Sequence, residues 1–245
     1  MIKFFRHIRK NLLNEGKTTK YFKYAIGEII LVVIGILIAL SINNWNEKRL
    51  KQEQLISIYE RIVVDIDNDV QQMSQTLEYY NGVEFIFKRV ISDSITPDLF
   101  DVGLSRIITG RSVNTNLNKT GVNQLKELAV KDSLSLSVIG IYDFMDRRMV
   151  HRFETRINDE SIELVNIFRD NYDWYPEYMS KTIMQDNSSV ALQNYFLYST
   201  EYRYRVISNN QLIYNNYLRI LKRVIPSLKK MKEDLKLIIE KTRND

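Results

Sequence analysis

Residues 21–47 read YFKYAIGEIILVVIGILIALSINNWNE, and this stretch decides the architecture of the chain. Across 25–42 the polar side chains are Glu28 near one end and Ser41 near the other. As an α-helix, residues 24–45 extend about 32 Å, close to the hydrocarbon thickness of a bilayer. Tyr21 and Tyr24 on one side and Trp45 on the other stand where interface anchors belong, at the two headgroup levels. A buried core helix would not need this flanking pattern, so one membrane-spanning helix is expected over 25–42.

Charge sets the expected direction. The net charge of +5 invites a nucleic-acid reading until the charges are placed. Before residue 43 stand Lys3, Arg6, Arg9, Lys10, Lys17, Lys20 and Lys23 against Glu15 and Glu28, and the remainder of the chain is balanced. The excess therefore precedes the apolar stretch, as a topology signal does, and no nucleic-acid partner is expected. Just after the stretch, Lys48, Arg49 and Lys51 are offset by Glu47 and Glu53. The positive-inside rule then places residues 1–24 in the cytoplasm and residues from about 43 onward outside a bacterial inner membrane, in the periplasm. A cleaved signal peptide, with Ala39 and Ser41 as small residues before a cut, is the rival reading. The length of the basic region and of the apolar stretch favours an anchor. Ile2, Phe5, Ile8 and Leu12 fall on one face among basic residues, which suits a short amphipathic helix on an anionic leaflet.

Within the span, Gly35 and Ala39 form a small-xxx-small pair that lets helices approach, and Glu28 lies about one turn inside, where ionisable groups are costly. These three are the membrane packing candidates. They point to a homodimer or a membrane protein partner, with lipid as the other contact.

The 27 residues quoted above, with the preceding MIKFFRHIRKNLL, resemble the N-terminal signature of a large family of uncharacterised bacterial single-pass membrane proteins found mainly in Bacteroidetes. Residues 125–143, LKELAVKDSLSLSVIGIYD, are similar in style to that family's middle element. The resemblance implies a short cytoplasmic tail, one span and a helical extracytoplasmic region, and it implies no activity.

Composition makes the rest helical. Eight Gly and three Pro in 245 residues argue against a turn-rich β fold and against phosphate-cradling loops. Leu55, Tyr59, Ile62, Ile66, Val70, Met73, Leu77 and Tyr80 recur in steps of three and four, a coiled-coil-like stripe on a helix expected to run on toward residue 90. Residues 93–131 are the least periodic, with short helices expected near 97–108 and 120–128. A second long helix, capped by Asp132 or Ser133, carries Leu134, Val138, Ile141, Met145, Met149, Phe153, Ile157, Leu164 and Phe168 inward and breaks at Pro176. A third opens at Ser188 or Ser189. It carries Tyr195, Tyr198, Tyr202, Val206, Ile213, Tyr217, Ile220, Val224, Leu228, Met231, Leu235 and Ile238, and Pro226 kinks it without ending it. The fold class is thus all-α: one N-terminal transmembrane helix, then an elongated extracytoplasmic helical bundle over 43–245 built from long amphipathic helices.

Chemistry is thin. Without Cys there is no disulfide, thiolate metal site or Cys nucleophile. DIDND, residues 65–69, starts like a calcium loop but has Val70 where glycine is required and Thr76 where the bidentate Glu belongs, so a solvated acidic face is expected. His7 and His151 fall on opposite sides of the expected membrane. No nucleophile elbow, Walker loop or dinucleotide fingerprint occurs. No catalytic residue, metal or cofactor is expected. Tyr172, Trp174, Tyr175, Tyr178, Tyr198 and Tyr202 form a candidate ligand or partner patch, weighed against aromatic packing where the bundle turns. The expected role is a non-enzymatic bitopic membrane protein whose helical domain binds a protein or assembles with itself. The alternative is a sensory ligand-binding module that acts through a membrane partner.

Overall fold

The structure, a computed structural model, describes residues 18–128, 132–184 and 189–244. Among these residues the fold is all-α and has no strand. The chain divides into two compact units, Met1–Leu55 and Ile56–Asp245, and helix α1, Thr18–Ile91, contributes to both.

In the first unit, α1 is long and apolar enough to cross a membrane. An 18-residue window reaches a mean hydropathy of 2.8, and none of it is buried within the protein. Ile29, Leu31, Ile34, Leu37 and Leu40 are all exposed. The expected amphipathic segment around Ile2 to Leu12 lies outside the described residues, as do the Tyr21 and Tyr24 side chains. Trp45 is exposed, with the Arg49 guanidinium 5.6 Å from its ring centroid.

In the second unit, three long helical runs pack together. The first is the later part of α1, where Tyr59, Ile62, Ile66, Met73, Ile86, Phe87 and Val90 are buried. Its end is built as a Schellman motif: Asp93 adopts φ 58°, the Ser94 N–H donates to Arg89 O at 2.9 Å, and the Asp93 N–H donates to Val90 O at 3.3 Å. Arg203 reinforces this end by donating to Ile91 O at 2.9 Å and pairing with Asp93 at 3.0 Å.

After 3₁₀ turns at Pro97–Phe100 and Leu104–Arg106, a segment without regular secondary structure leads to α2, Thr120–Glu127. The second run comprises α3 (Ser133–Phe144), a π-helical stretch (Met145–Glu154) and α4 (Thr155–Asn171). Asp132 is its N-cap, accepting from the Ser135 N–H at 2.9 Å. The Tyr59–Ser135 contact at 2.7 Å and the Tyr142–Asp69 bond at 2.9 Å set this run parallel to α1.

The run ends at Tyr172, where the backbone turns extended, and not at Pro176 as the sequence suggested. Pro176 instead sits in the first turn of α5, Tyr175–Met184, where its missing N–H is harmless.

The third run is also more broken than its periodicity implies. Helix α6 (Val190–Tyr198) stops at Ser199, which adopts ψ 120° and caps α7 (Thr200–Leu212) by accepting from the Tyr202 N–H. A π-helical turn at Ile213–Tyr217 joins α7 to α8, Leu218–Asn244, which continues through Pro226. Ser189 caps α6; Ser188 lies outside the described residues.

Helix α8 runs antiparallel to α1: Tyr214 donates to Tyr80 O at 2.7 Å, Lys232 meets Asp67 at 2.8 Å, and Arg243 meets Glu60. These surface pairs orient more than they stabilise. The apolar seam beneath them, with Leu228, Leu235 and Ile239 buried, does the holding.

The π turns change which residues face inward. A π turn spends an extra residue, so inward positions fall five apart instead of four. Hence Met149 is followed inward by Glu154, while Phe153 turns partly outward beneath the Arg152 guanidinium. In the third run Leu221 and Ile239 are buried, where the simple phase pointed to Ile220 and Ile238.

Deleting residues 227–245 from the full chain should remove three buried aliphatic anchors at about 2–5 kcal/mol each, and so lower the melting temperature by about 10 °C or more. Calorimetry of the truncated protein in detergent tests this; unchanged melting would mean that α8 contributes nothing to the unit.

Candidate functional site

A stretch without regular secondary structure leaves most of its N–H groups to find partners elsewhere, so those partners identify the groups that position it. Over 113–121 those partners are side chains of α1 and of the π stretch and helix that follow α3. The Val113 N–H donates to Asn158 Oδ1 at 2.8 Å, and Asn158 Nδ2 returns a bond to Val113 O at 2.7 Å. The Thr115 N–H and hydroxyl donate to the two oxygens of Glu154, at 2.9 and 2.6 Å. The Asn116 N–H meets Gln72 at 3.2 Å, the Asn118 N–H meets Asp69 at 3.1 Å, and the Gly121 N–H meets Asp65 at 3.4 Å.

Two of these acceptors also hold phenols. The Tyr217 hydroxyl donates to Glu154 at 2.7 Å, and the Tyr142 hydroxyl donates to Asp69. Burial lifts both phenols well above the usual tyrosine range, and the adjacent carboxylates add to that rise.

This arrangement corrects the solvated acidic face. Asp67 is exposed and pairs with Lys232, whereas Asp69 and Asp65 are buried. Burial raises the Asp69 carboxyl above the ordinary aspartate value, against the Asn118 and Tyr142 hydrogen bonds that favour its charged form. Asp65 is raised by burial too, opposed by the Gly121 N–H and by Arg61. Among the described residues no three His, Cys, Asp or Glu side chains cluster as a metal site would require.

The aromatic patch resolves into a packed core. Phe168 is its hub, with ring centroids 5.1 Å from Trp174, 5.1 Å from Tyr178, 5.3 Å from Tyr195 and 5.6 Å from Phe196. Trp174, Tyr178 and Tyr202 are buried there, and Tyr172 and Tyr175 are partly so. Two of their hydroxyls reach the connection that follows α1: Tyr178 meets Thr109, and Tyr202 donates to Leu104 O in the second 3₁₀ turn. Tyr198 does not belong to this set. It is 77% exposed, because the break at Ser199 rotates it away from the inner face. Its place beside Tyr202 is taken by Phe196, with ring centroids 4.8 Å apart.

The membrane packing candidates lie in the other unit. Glu28, Gly35 and Ala39 share a helix face at spacings of seven and four; Glu28 is half-buried, Ala39 is exposed, and a Cβ added at Gly35 would meet open space.

The second unit carries surface concavities. One, of about 450 Å³, runs between α3 and α8 past Leu134, Lys230, Met231 and Ile238. Another, of about 210 Å³, lies beside Tyr79, Val102, Arg106 and Ile107. The sequence reading singled out neither, because each is made by residues far apart in the chain.

Residues 28–86 match a family of unknown function, DUF6090. No curated protein and no solved structure matches the chain. The matched stretch takes in the apolar part of α1 and much of its later, packed part.

Asp69 yields a signed pH expectation. Between the ordinary aspartate value and the raised one, the folded protein keeps a proton that the unfolded chain has released. Asp69's contribution to stability is therefore full at low pH and is lost as pH rises through that window. Asp69→Asn cannot titrate, so the stability of the wild type relative to this variant should decline over that rise. Thermal unfolding of both proteins across a pH series checks this; a constant difference would mean that Asp69 titrates normally.

Proposed function

We propose that this protein is a single-pass, non-enzymatic membrane protein, anchored through residues 25–42, whose helical region from 43 onward lies outside the cytoplasmic membrane and binds a protein partner or a second copy. One observation carries the anchoring: an apolar window on α1 that nothing within the protein covers. In water such a surface would associate or aggregate, whereas in lipid it is already solvated. The orientation rests on the seven basic residues before the span against three just after it.

Protein binding is supported by the second unit's surface. Tyr198 and Tyr204, on either side of the Ser199 break, are 77% and 66% exposed, and tyrosine is favoured at interfaces because its ring buries while its hydroxyl stays paired. The aromatic core beneath them is filled by its own rings, which supports a structural role for Trp174, Tyr178 and Tyr202.

The chain has no cysteine, so one introduced thiol reports cleanly on topology. Glu240→Cys, at an exposed site on α8, should react with a membrane-impermeant maleimide in intact spheroplasts. Labelling only after lysis would reverse the orientation.

Gly35 and Ala39 supply the self-association face. Replacing both with Ile should hold helix backbones apart and weaken association of the span by on the order of 1 kcal/mol in a bilayer reporter assay, with Glu28→Gln as the companion change. Unchanged association in both variants would remove the span as a dimer contact.

A further inference from the structure

The loop that follows α1 is shaped by two glycines for which no other residue substitutes. Gly103 adopts φ 107°, a conformation that side chains disfavour. A Cβ at Gly110 would stand 2.6 Å from Arg106 O, inside contact distance, and the Gly110 N–H donates to that same oxygen at 2.7 Å. The tight turn brings Arg106 and Arg111 to the same tyrosine. The Arg111 guanidinium lies 4.8 Å from the centroid of the Tyr79 ring, and Arg106 lines the cavity that Tyr79 borders. Both cations act electrostatically on the Tyr79 hydroxyl, lowering its pKa, while burial raises it and prevails.

Among the described residues neither Arg106 nor Arg111 pairs with a carboxylate. The cavity beside them, about 210 Å³, has apolar walls in Val83, Val102 and Ile107. It is smaller than the roughly 300–1,000 Å³ of drug-sized pockets, so it suits a small molecule. Arg106 and Tyr79 line this hollow and the Arg111 guanidinium stands over the Tyr79 ring, so positive charge gathers beside apolar walls and fits a ligand with one anionic end and a short apolar body. A carboxylic acid with a short apolar body suits the hollow, because a guanidinium matches the carboxylate and Val83, Val102 and Ile107 offer the body apolar contact.

We propose that Arg106, Arg111 and Tyr79 form a binding site for a small carboxylic acid, its carboxylate held by the guanidiniums and the phenol and its apolar body seated against Val83, Val102 and Ile107. The site lies wholly in the second unit and stands independently of the anchoring and of the protein-binding reading.

The test uses the full chain in lipid nanodiscs, with empty nanodiscs as the blank and phenylacetate as the probe. Saturation-transfer NMR should detect phenylacetate with a Kd of about 1 mM or tighter, and the neutral phenylacetamide should bind about tenfold more weakly. Arg106→Gln and Arg111→Gln should each weaken phenylacetate about tenfold, Arg111→Lys should restore part of the loss, and Tyr79→Phe should weaken binding severalfold. Circular dichroism establishes that each variant is folded, and the phenylacetamide comparison needs no variant at all. Absence of phenylacetate binding, equal binding of phenylacetamide, or affinity unchanged in both arginine variants would overturn the site. Inorganic phosphate binding in place of phenylacetate would overturn the carboxylate assignment.

Discussion

The structure depends on how one stretch without regular secondary structure, residues 113–119 running into the start of α2, is made tolerable inside a helical unit. In a sheet its N–H groups would find carbonyls on a neighbouring strand, and no strand occurs among the described residues. Glu154, Asp69, Asp65, Gln72 and Asn158 take that place, two helical runs each supplying side-chain oxygens at the right heights. Leaving a buried donor unmade costs more than a formed bond gains, so these acceptors are fixed by the segment they serve. The reverse also holds: without the segment, Asp69 and Glu154 would be buried carboxyl groups with only a phenol for company.

The π-helical stretches are the geometric counterpart of this need. Carrying Glu154 inward at the fifth position after Met149 requires one extra residue in the turn, and the facing π turn at Ile213–Tyr217 presents the Tyr217 hydroxyl to the same carboxyl. The loop that follows α1 is fastened at its other end by the aromatic core, through Tyr178 and Tyr202. The long connection between α1 and α3 is therefore held by polar groups on one side and by phenols rising from an apolar floor on the other. That hold is what sets Arg106 and Arg111 against Tyr79.

The two units present surfaces of different character. In the first, the apolar side chains of α1 face outward over a whole membrane thickness, and its polar contacts are local, such as Asn43 to Glu47 at 2.9 Å. In the second, the same helix alternates buried Ile and Met with exposed charge, as a helix does when water lies on one side. One continuous helix thus carries two codes, all-round apolar and then striped.

Much of this was legible in the sequence. The apolar run at 25–42, the inward stripe from Tyr59 to Tyr80, the Asp132 and Ser189 caps and the passage of α8 through Pro226 all follow from local properties, hydropathy and capping chemistry above all. Periodicity failed where the backbone departs from 3.6 residues per turn or stops: Phe153 gave way to Glu154, Ile220 to Leu221, and Tyr198 left the core at Ser199. It also misplaced Asp65 and Asp69, because an aspartate in a striped helix looks solvated until the chain that hydrogen-bonds to it is known. Hydropathy and capping act over a few residues and are written in the sequence. The burial of a carboxyl, the widening of a turn and the meeting of two arginines at one tyrosine depend on partners some 30 to 150 residues away, and only the packed tertiary structure decides them.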